Sequence, residues 1–295
     1  MTAAVMCLYL SEVMIPSSHT GSAIHSKGIG DLIQLNGPQF YESGIPHKLF
    51  AGFRPLLILH AFDTRKSSFL SEDEWKNDPF RVFSKTPLQD LMNEASGLPS
   101  LLERLDGSKD GSICDARSVV QEALSQFTYI LDNLDLWYQR TSSASPEPIW
   151  WPASEMGDGN YMWFPNITMA NSLTHYWAFW ILCVTYIIKL RAEHPWLIDH
   201  IIEVDGEAPE SHQVSKKMMQ MAKWILQSVE FLMQDKMKFF GIASANFPIQ
   251  TACDVLEAKV GTSASMGGWK YGRVIDKIIQ SGYADVVWPT IPAVV

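Results

Sequence analysis

SVVQEALSQFTYILDNLDLWYQR, residues 118–140, decides the fold class. Val120, Ala123, Leu124, Phe127, Ile130, Leu131, Leu134 and Tyr138 recur at three- and four-residue spacing, the rhythm of an amphipathic α-helix. Asp115 stands ahead of the run, where an N-cap is expected. The same rhythm returns in residues 213–240 at Met218, Ala222, Ile225, Val229, Leu232 and Lys236, with Gly241 as the expected stop. Pro46 opens a helix to about Lys66, with Leu49, Phe50, Phe53, Leu57 and Ala61 inward and Pro55 as an expected kink. Pro87 starts one through Leu105, and Pro165-Asn166 begins an apolar helix ending near His194-Pro195. Two more are predicted at 247–259 and 269–280.

No stretch of useful length alternates with period two, so strand content should be close to nil. The segments 70–85, 141–160 and 203–212 read as loops: charged and aromatic, rich in Ser and Pro, and acidic in turn. Without an internal repeat or a clear linker, residues 1–295 are expected to form one all-α domain of about eight to ten helices.

Composition narrows the function. Apolar residues make up 47% of the chain and charged residues 19%, enough for a large core and too little charge for disorder. Net charge is −9 and no basic run exceeds two residues, so a phosphate-tracking surface and an import signal are not expected. Cys7, Cys114, Cys183 and Cys253 lie far apart and read as reduced thiols rather than metal ligands. Residues 176–188 are apolar apart from Thr185, but these 13 residues fall short of the ~20 a spanning helix needs. A core helix, with no membrane association, is the expectation.

Catalytic constellations fail on geometry. Asp132-Asn133-Leu134-Asp135 looks like a degraded Asp-rich motif of a magnesium-dependent terpene cyclase, and Asp115, Ser118 and Glu122 have the spacing of that family's second motif. All five lie on or just before one predicted helix. At helical rise Glu122 and Asp132 are ~15 Å apart and Asp115 and Asp132 about 25 Å, whereas magnesium ligands sit near 2 Å from the ion. A cap and a wet helix face account for them better. Gly28-Ile29-Gly30 lacks the third glycine and the preceding strand of a dinucleotide fingerprint. Ser263 and Ser265 follow no strand, which excludes a nucleophile elbow. Asn166-Ile167-Thr168 matches a glycosylation sequon, with nothing else that suggests secretion. No enzyme activity, metal or cofactor is expected.

Aromatic crowding leaves one binding candidate. Trp150, Trp151, Tyr161, Trp163, Tyr176, Trp177 and Trp180 fall within some thirty residues. Rings with a few polar groups can line an effector pocket, and Trp163, Asn171, Thr174, His175, Trp177 and Trp180 form that candidate set. The competing account is an aromatic core under a long loop. The apolar face of 218–240 is likewise either core or a dimer seam: Leu232→Asp should give a soluble, folded monomer if it is a seam and aggregation if it is core.

Several blocks resemble the fungal-specific transcription factor domain, the regulatory region of fungal zinc-cluster factors. Residues 8–17, LYLSEVMIPS, are similar to its "LYEVM-PS" segment, and 30–38 and 47–57 to "LIQLRGP" and "LF-GFR-LL". Phe69-Leu70-Ser71, Glu74-Trp75 and Pro79-Phe80 resemble "FL---EW---PF", and 171–179, NSLTHYWAF, resembles "N-LTHYW-F". Phe239-Phe240-Gly241 and 247–250 resemble the terminal region. The matches run in order from about Leu8 to about Trp288.

The resemblance implies an all-helical regulatory domain, a nuclear location, and control of metabolic or secondary-metabolite genes. It also implies a small-molecule effector and protein partners, as a homodimer or a heterodimer with a full-length regulator. The six-cysteine zinc cluster that binds DNA in complete members has no counterpart here. The chain therefore reads as a truncated product or a paralogue without that part, acting as regulator, scaffold or dominant-negative partner. Metal analysis of the purified chain should find no stoichiometric zinc, and a mobility-shift assay at low salt no sequence-specific DNA complex. Either one would contradict this reading.

Overall fold

The computed structural model describes residues 2–14, 21–108, 113–153, 161–200 and 209–260, together with 278 and 280. Among these are ten α-helices of seven residues or more, one five-residue helix and a single two-stranded ribbon. The protein is all-α, as the helical periodicity predicts. Where one domain is expected, the chain divides into two compact units, Met1–Ile130 and Leu131–Val295. The division falls within α7 (Ile113–Ala144).

The first unit opens with α1 (Thr2–Met14) and α2 (Gly21–Asn36), which pack together through buried Met6, Ile29 and Ile33. Neither is anticipated as a helix. Gly28 and Gly30 lie inside α2, so the glycine pair belongs to a helix and not to a phosphate loop. Next, α3 (Gly44–Thr64) continues through Pro55 and buries Phe50, Phe53, Leu57, Ile58, Ala61 and Phe62.

The segment expected as a loop at 70–85 is largely helical turns: Phe69–Ser71, α4 (Asp73–Asn77) and Asp78–Phe80. Its rings are core. Trp75 lies 5.9 Å from Phe50, and Phe80 6.0 Å from Phe50. Alternating charges and aromatics mimic a loop, yet Trp75 and Phe80 face inward while Glu72 and Glu74 stay wet.

The predicted helix 87–105 is two helices, α5 (Pro87–Ala95) and α6 (Leu98–Ser108). Gly97 and Pro99 supply the break. Thr86 caps α5 by accepting from the Gln89 N–H at 3.3 Å. Arg54 ties α3 to α5. Its guanidinium is fully buried, donates to the Gln89 backbone and side-chain oxygens at 3.0 Å each, and reaches the Asn93 side chain. Burial pulls its pKa down to about 9, opposed in part by the charge of Asp90, so this cation is held at a desolvation cost.

In the second unit the end of α7 is followed by the ribbon β1 (Trp151–Ala153) and β2 (Tyr161–Trp163), antiparallel, with Trp151 opposite Trp163. β1 lies within the segment 141–160 expected as a loop, and β2 directly after it. The apolar helix is α8 (Ile167–Glu193), and α9 (Pro209–Leu232), α10 (Lys238–Ser244) and α11 (Asn246–Val260) complete the unit. The predicted helix 269–280 lies outside the described residues apart from 278 and 280. Ser263 and Ser265 lie outside them too.

Asn166 caps α8: its Oδ1 accepts from the Met169 N–H at 2.9 Å, a structural role for the sequon asparagine. On length and composition α8 could cross a bilayer, and 78% of its most apolar window is buried inside the protein. α7 begins at Ile113, so Asp115 falls inside its first turn rather than ahead of it.

The stop expected at Gly241 is also displaced. α9 ends at Leu232, and Gly241 sits within α10. A Cβ at Gly241 would overlap the Leu232 carbonyl oxygen and lie 2.8 Å from Met237 Cβ. Glycine is there because two backbones touch. Alanine normally favours a helix interior over glycine by about 1 kcal/mol. Here the sign should reverse: Gly241→Ala should lower stability in urea unfolding by about 1–3 kcal/mol through overpacking. Unchanged or increased stability would contradict the close approach.

Candidate functional site

α8 is enclosed. Ala170 through Val184 are all buried, with α9 and α11 packed against the helix. The faces meet different neighbours. Tyr176 turns to α7, where Tyr138 stacks on it at 5.1 Å and Trp137 lies at 5.5 Å. Trp177 meets Trp224 of α9 at 5.5 Å and Phe164 at 6.5 Å. His175 and Phe179 meet Phe247 of α11 at 6.2 and 5.3 Å.

This arrangement separates the candidate pocket residues. Trp163 sits edge-on to Phe231 of α9 at 5.6 Å, so Trp163, Trp177 and Trp180 belong to the α9 side. Asn171 and His175 belong to the other side. The Asn171 Oδ1 accepts from Ser244 Oγ of α10 at 2.9 Å. The Thr174 hydroxyl is spent on its own helix, donating to the Ala170 carbonyl at 2.9 Å with the Asn171 carbonyl at 3.2 Å. The rings and the polar groups therefore do not converge on one space. Leu232 is fully buried, so the apolar face of α9 is core at that position rather than a dimer seam.

Two buried polar atoms on α8 have no hydrogen-bond partner: His175 Nε2 and Trp180 Nε1. The His175 Nδ1 lies 2.7 Å from the Asn171 carbonyl and so carries the proton, leaving Nε2 as an unused acceptor. Burial pulls the imidazole down to about 4, opposed in part by that hydrogen bond.

Two residues of the degraded motifs are engaged in other contacts. Glu122 pairs with Arg104 in the first unit. Asp135, expected on a wet face, accepts the Tyr176 hydroxyl at 2.7 Å and faces the Lys217 ammonium at 3.5 Å. Burial first, and then this carboxylate, hold the Tyr176 phenol well above its usual range. Among the described residues no three His, Cys, Asp or Glu side chains cluster at ligating distance.

Sequence reasoning missed Asp135, Lys217, Tyr138 and Trp224 as members of this site. Their partners lie on other helices, and helical periodicity reports which face is buried but not which helix covers it. Trp150 was visible as a ring. Its indole N–H donates weakly to the Tyr138 hydroxyl at 3.4 Å, and its ring lies 5.7 Å from Trp224.

No model of a known protein family, no curated protein and no solved structure matches this chain.

Two stability predictions follow from the enclosure of α8. Trp177→Ala removes a fully buried indole and should cost about 3–5 kcal/mol in chemical denaturation; a loss below about 1 kcal/mol would mean the ring does not pack as described. For His175, the neutral form is present in both states above pH 6.5. As pH falls from 6.5 toward about 4 the unfolded chain takes a proton that the native one refuses, so stability drops. The wild type should therefore lose on the order of 3 kcal/mol relative to His175→Gln between pH 7 and pH 4. Parallel stability curves for the two proteins would refute the buried neutral imidazole.

Proposed function

We propose that the chain is the effector-sensing regulatory region of a fungal zinc-cluster type transcription regulator, acting without autonomous DNA binding. One observation carries the reading. The blocks that resemble the fungal-specific transcription factor domain coincide with the elements that organise each unit. "LF-GFR-LL" is the middle of α3 and includes the buried Arg54, "FL---EW---PF" is the aromatic turn around Trp75, and "N-LTHYW-F" lies in the enclosed part of α8. Polar residues inside these blocks are spent on internal contacts: Arg54 on Gln89 and Asn93, and Asn171 on Ser244. A resemblance that lies in the core is one of fold, which suits a regulatory module. Such a module works in the nucleus through protein partners, a second copy or a full-length regulator, and responds to a small molecule.

The test is a fusion of the full chain to a heterologous DNA-binding module in a fungal reporter strain. A regulatory region should change reporter output at least several-fold, and a metabolite panel should shift that output further. A stable, nuclear fusion that leaves output flat under every condition would count against the proposal. Magnesium-dependent turnover of a prenyl diphosphate by the purified chain would replace it with an enzymatic reading.

A further inference from the structure

Lys217 of α9 reaches toward α8 and α7 of the same unit. Its ammonium nitrogen lies 4.2 Å from the centre of the Trp180 ring and 3.5 Å from Asp135 Oδ2. The Trp180 Nε1–H finds no acceptor, so that ring meets a cation with its face while its own polar edge is unused. The other oxygen of Asp135 is held by the Tyr176 hydroxyl at 2.7 Å, and Tyr138 stacks on Tyr176. Asp135 is therefore positioned by a contact that does not depend on Lys217. Trp180 and Tyr176 are 4% and 3% exposed, while the Lys217 and Asp135 side chains are 45% and 39% exposed. A dry indole face lies beside a half-wet ion pair.

The occupant is loosely held. A strong ammonium–carboxylate hydrogen bond spans about 2.7–2.9 Å, and this one is 3.5 Å. Half-exposed ion pairs contribute little, and a lysine stem gives up rotamer freedom to stay in place. Asp135 Oδ2 keeps acceptor capacity for an N–H donor that approaches more closely. That requirement favours a primary ammonium over a quaternary one, and the stem of Lys217 marks the direction an alkyl chain would take.

We propose that Asp135 and Trp180 form a binding site for a small primary alkylammonium ligand, with Lys217 as a built-in occupant that the ligand displaces. The site stands apart from the regulatory reading and is tested separately.

n-Butylammonium chloride is titrated into the full chain at constant ionic strength, followed by tryptophan fluorescence and calorimetry. Lys217→Ala, which vacates the site, should bind it saturably and at least tenfold more tightly than the wild type. Adding Asp135→Asn should abolish that gain, and tetramethylammonium and n-pentanol should bind more weakly than n-butylammonium. Circular dichroism checks folding. If Lys217→Ala does not fold, Lys217→Gln takes its place under the same criteria. A folded variant that binds n-butylammonium no better than wild type, or whose binding survives Asp135→Asn, would overturn the proposal and leave Lys217 as a fastening for α9 alone.

Discussion

The burial of α8 on all sides constrains the second unit more than any other feature. From Ala170 to Val184 the helix has no wet face, yet its sequence carries asparagine, serine, threonine and histidine. A buried polar group without a partner is costly. The helix answers this largely within itself. Ser172 donates to the Thr168 carbonyl at 2.7 Å, Thr174 to Ala170 at 2.9 Å, and His175 Nδ1 to Asn171 at 2.7 Å. Back-bonding of this kind lets a polar sequence lie in a core without outside partners. His175 Nε2 and Trp180 Nε1 are where it falls short.

Neighbouring elements follow from that enclosure. α9 presents Trp224 to Trp177 and Phe231 to Trp163 and Phe164, and the β1–β2 ribbon brings Trp163 into reach. α11 closes the opposite side with Phe247. Gly241 lets α10 touch the end of α9, which sets Ser244 against Asn171. In the first unit Arg54 has a comparable role at the α3–α5 junction, with Phe80 5.6 Å from its guanidinium.

The long helices were legible because their apolar residues repeat every three or four positions, as at Val120 to Tyr138 and Met218 to Leu232. What was hidden depended on tertiary contact. α2 has poor helix propensity, with glycines at 21, 28 and 30, and forms because packing against α1 and α3 buries Ile29 and Ile33. The aromatic turn at 69–80 looked like loop because charge alternates with ring in it. The break at Gly97 was masked by apolar spacing that runs on through it. For the site, the aromatic crowding was readable but its partition was not. Trp177 and His175 sit two positions apart on one helix and face different neighbours, a separation fixed by where α9 and α11 dock. Asp135 looked like a wet-face carboxylate because its partner, Tyr176, is distant in sequence.

Native-state hydrogen exchange measures the central claim most directly. If α8 is the enclosed helix on which the second unit is built, amides of residues 170–184 should be the slowest in that unit. They should exchange only through its global opening, while those of α10 (238–244) exchange earlier by local opening. Amides of 170–184 that exchange as fast as those of α10 would contradict the account.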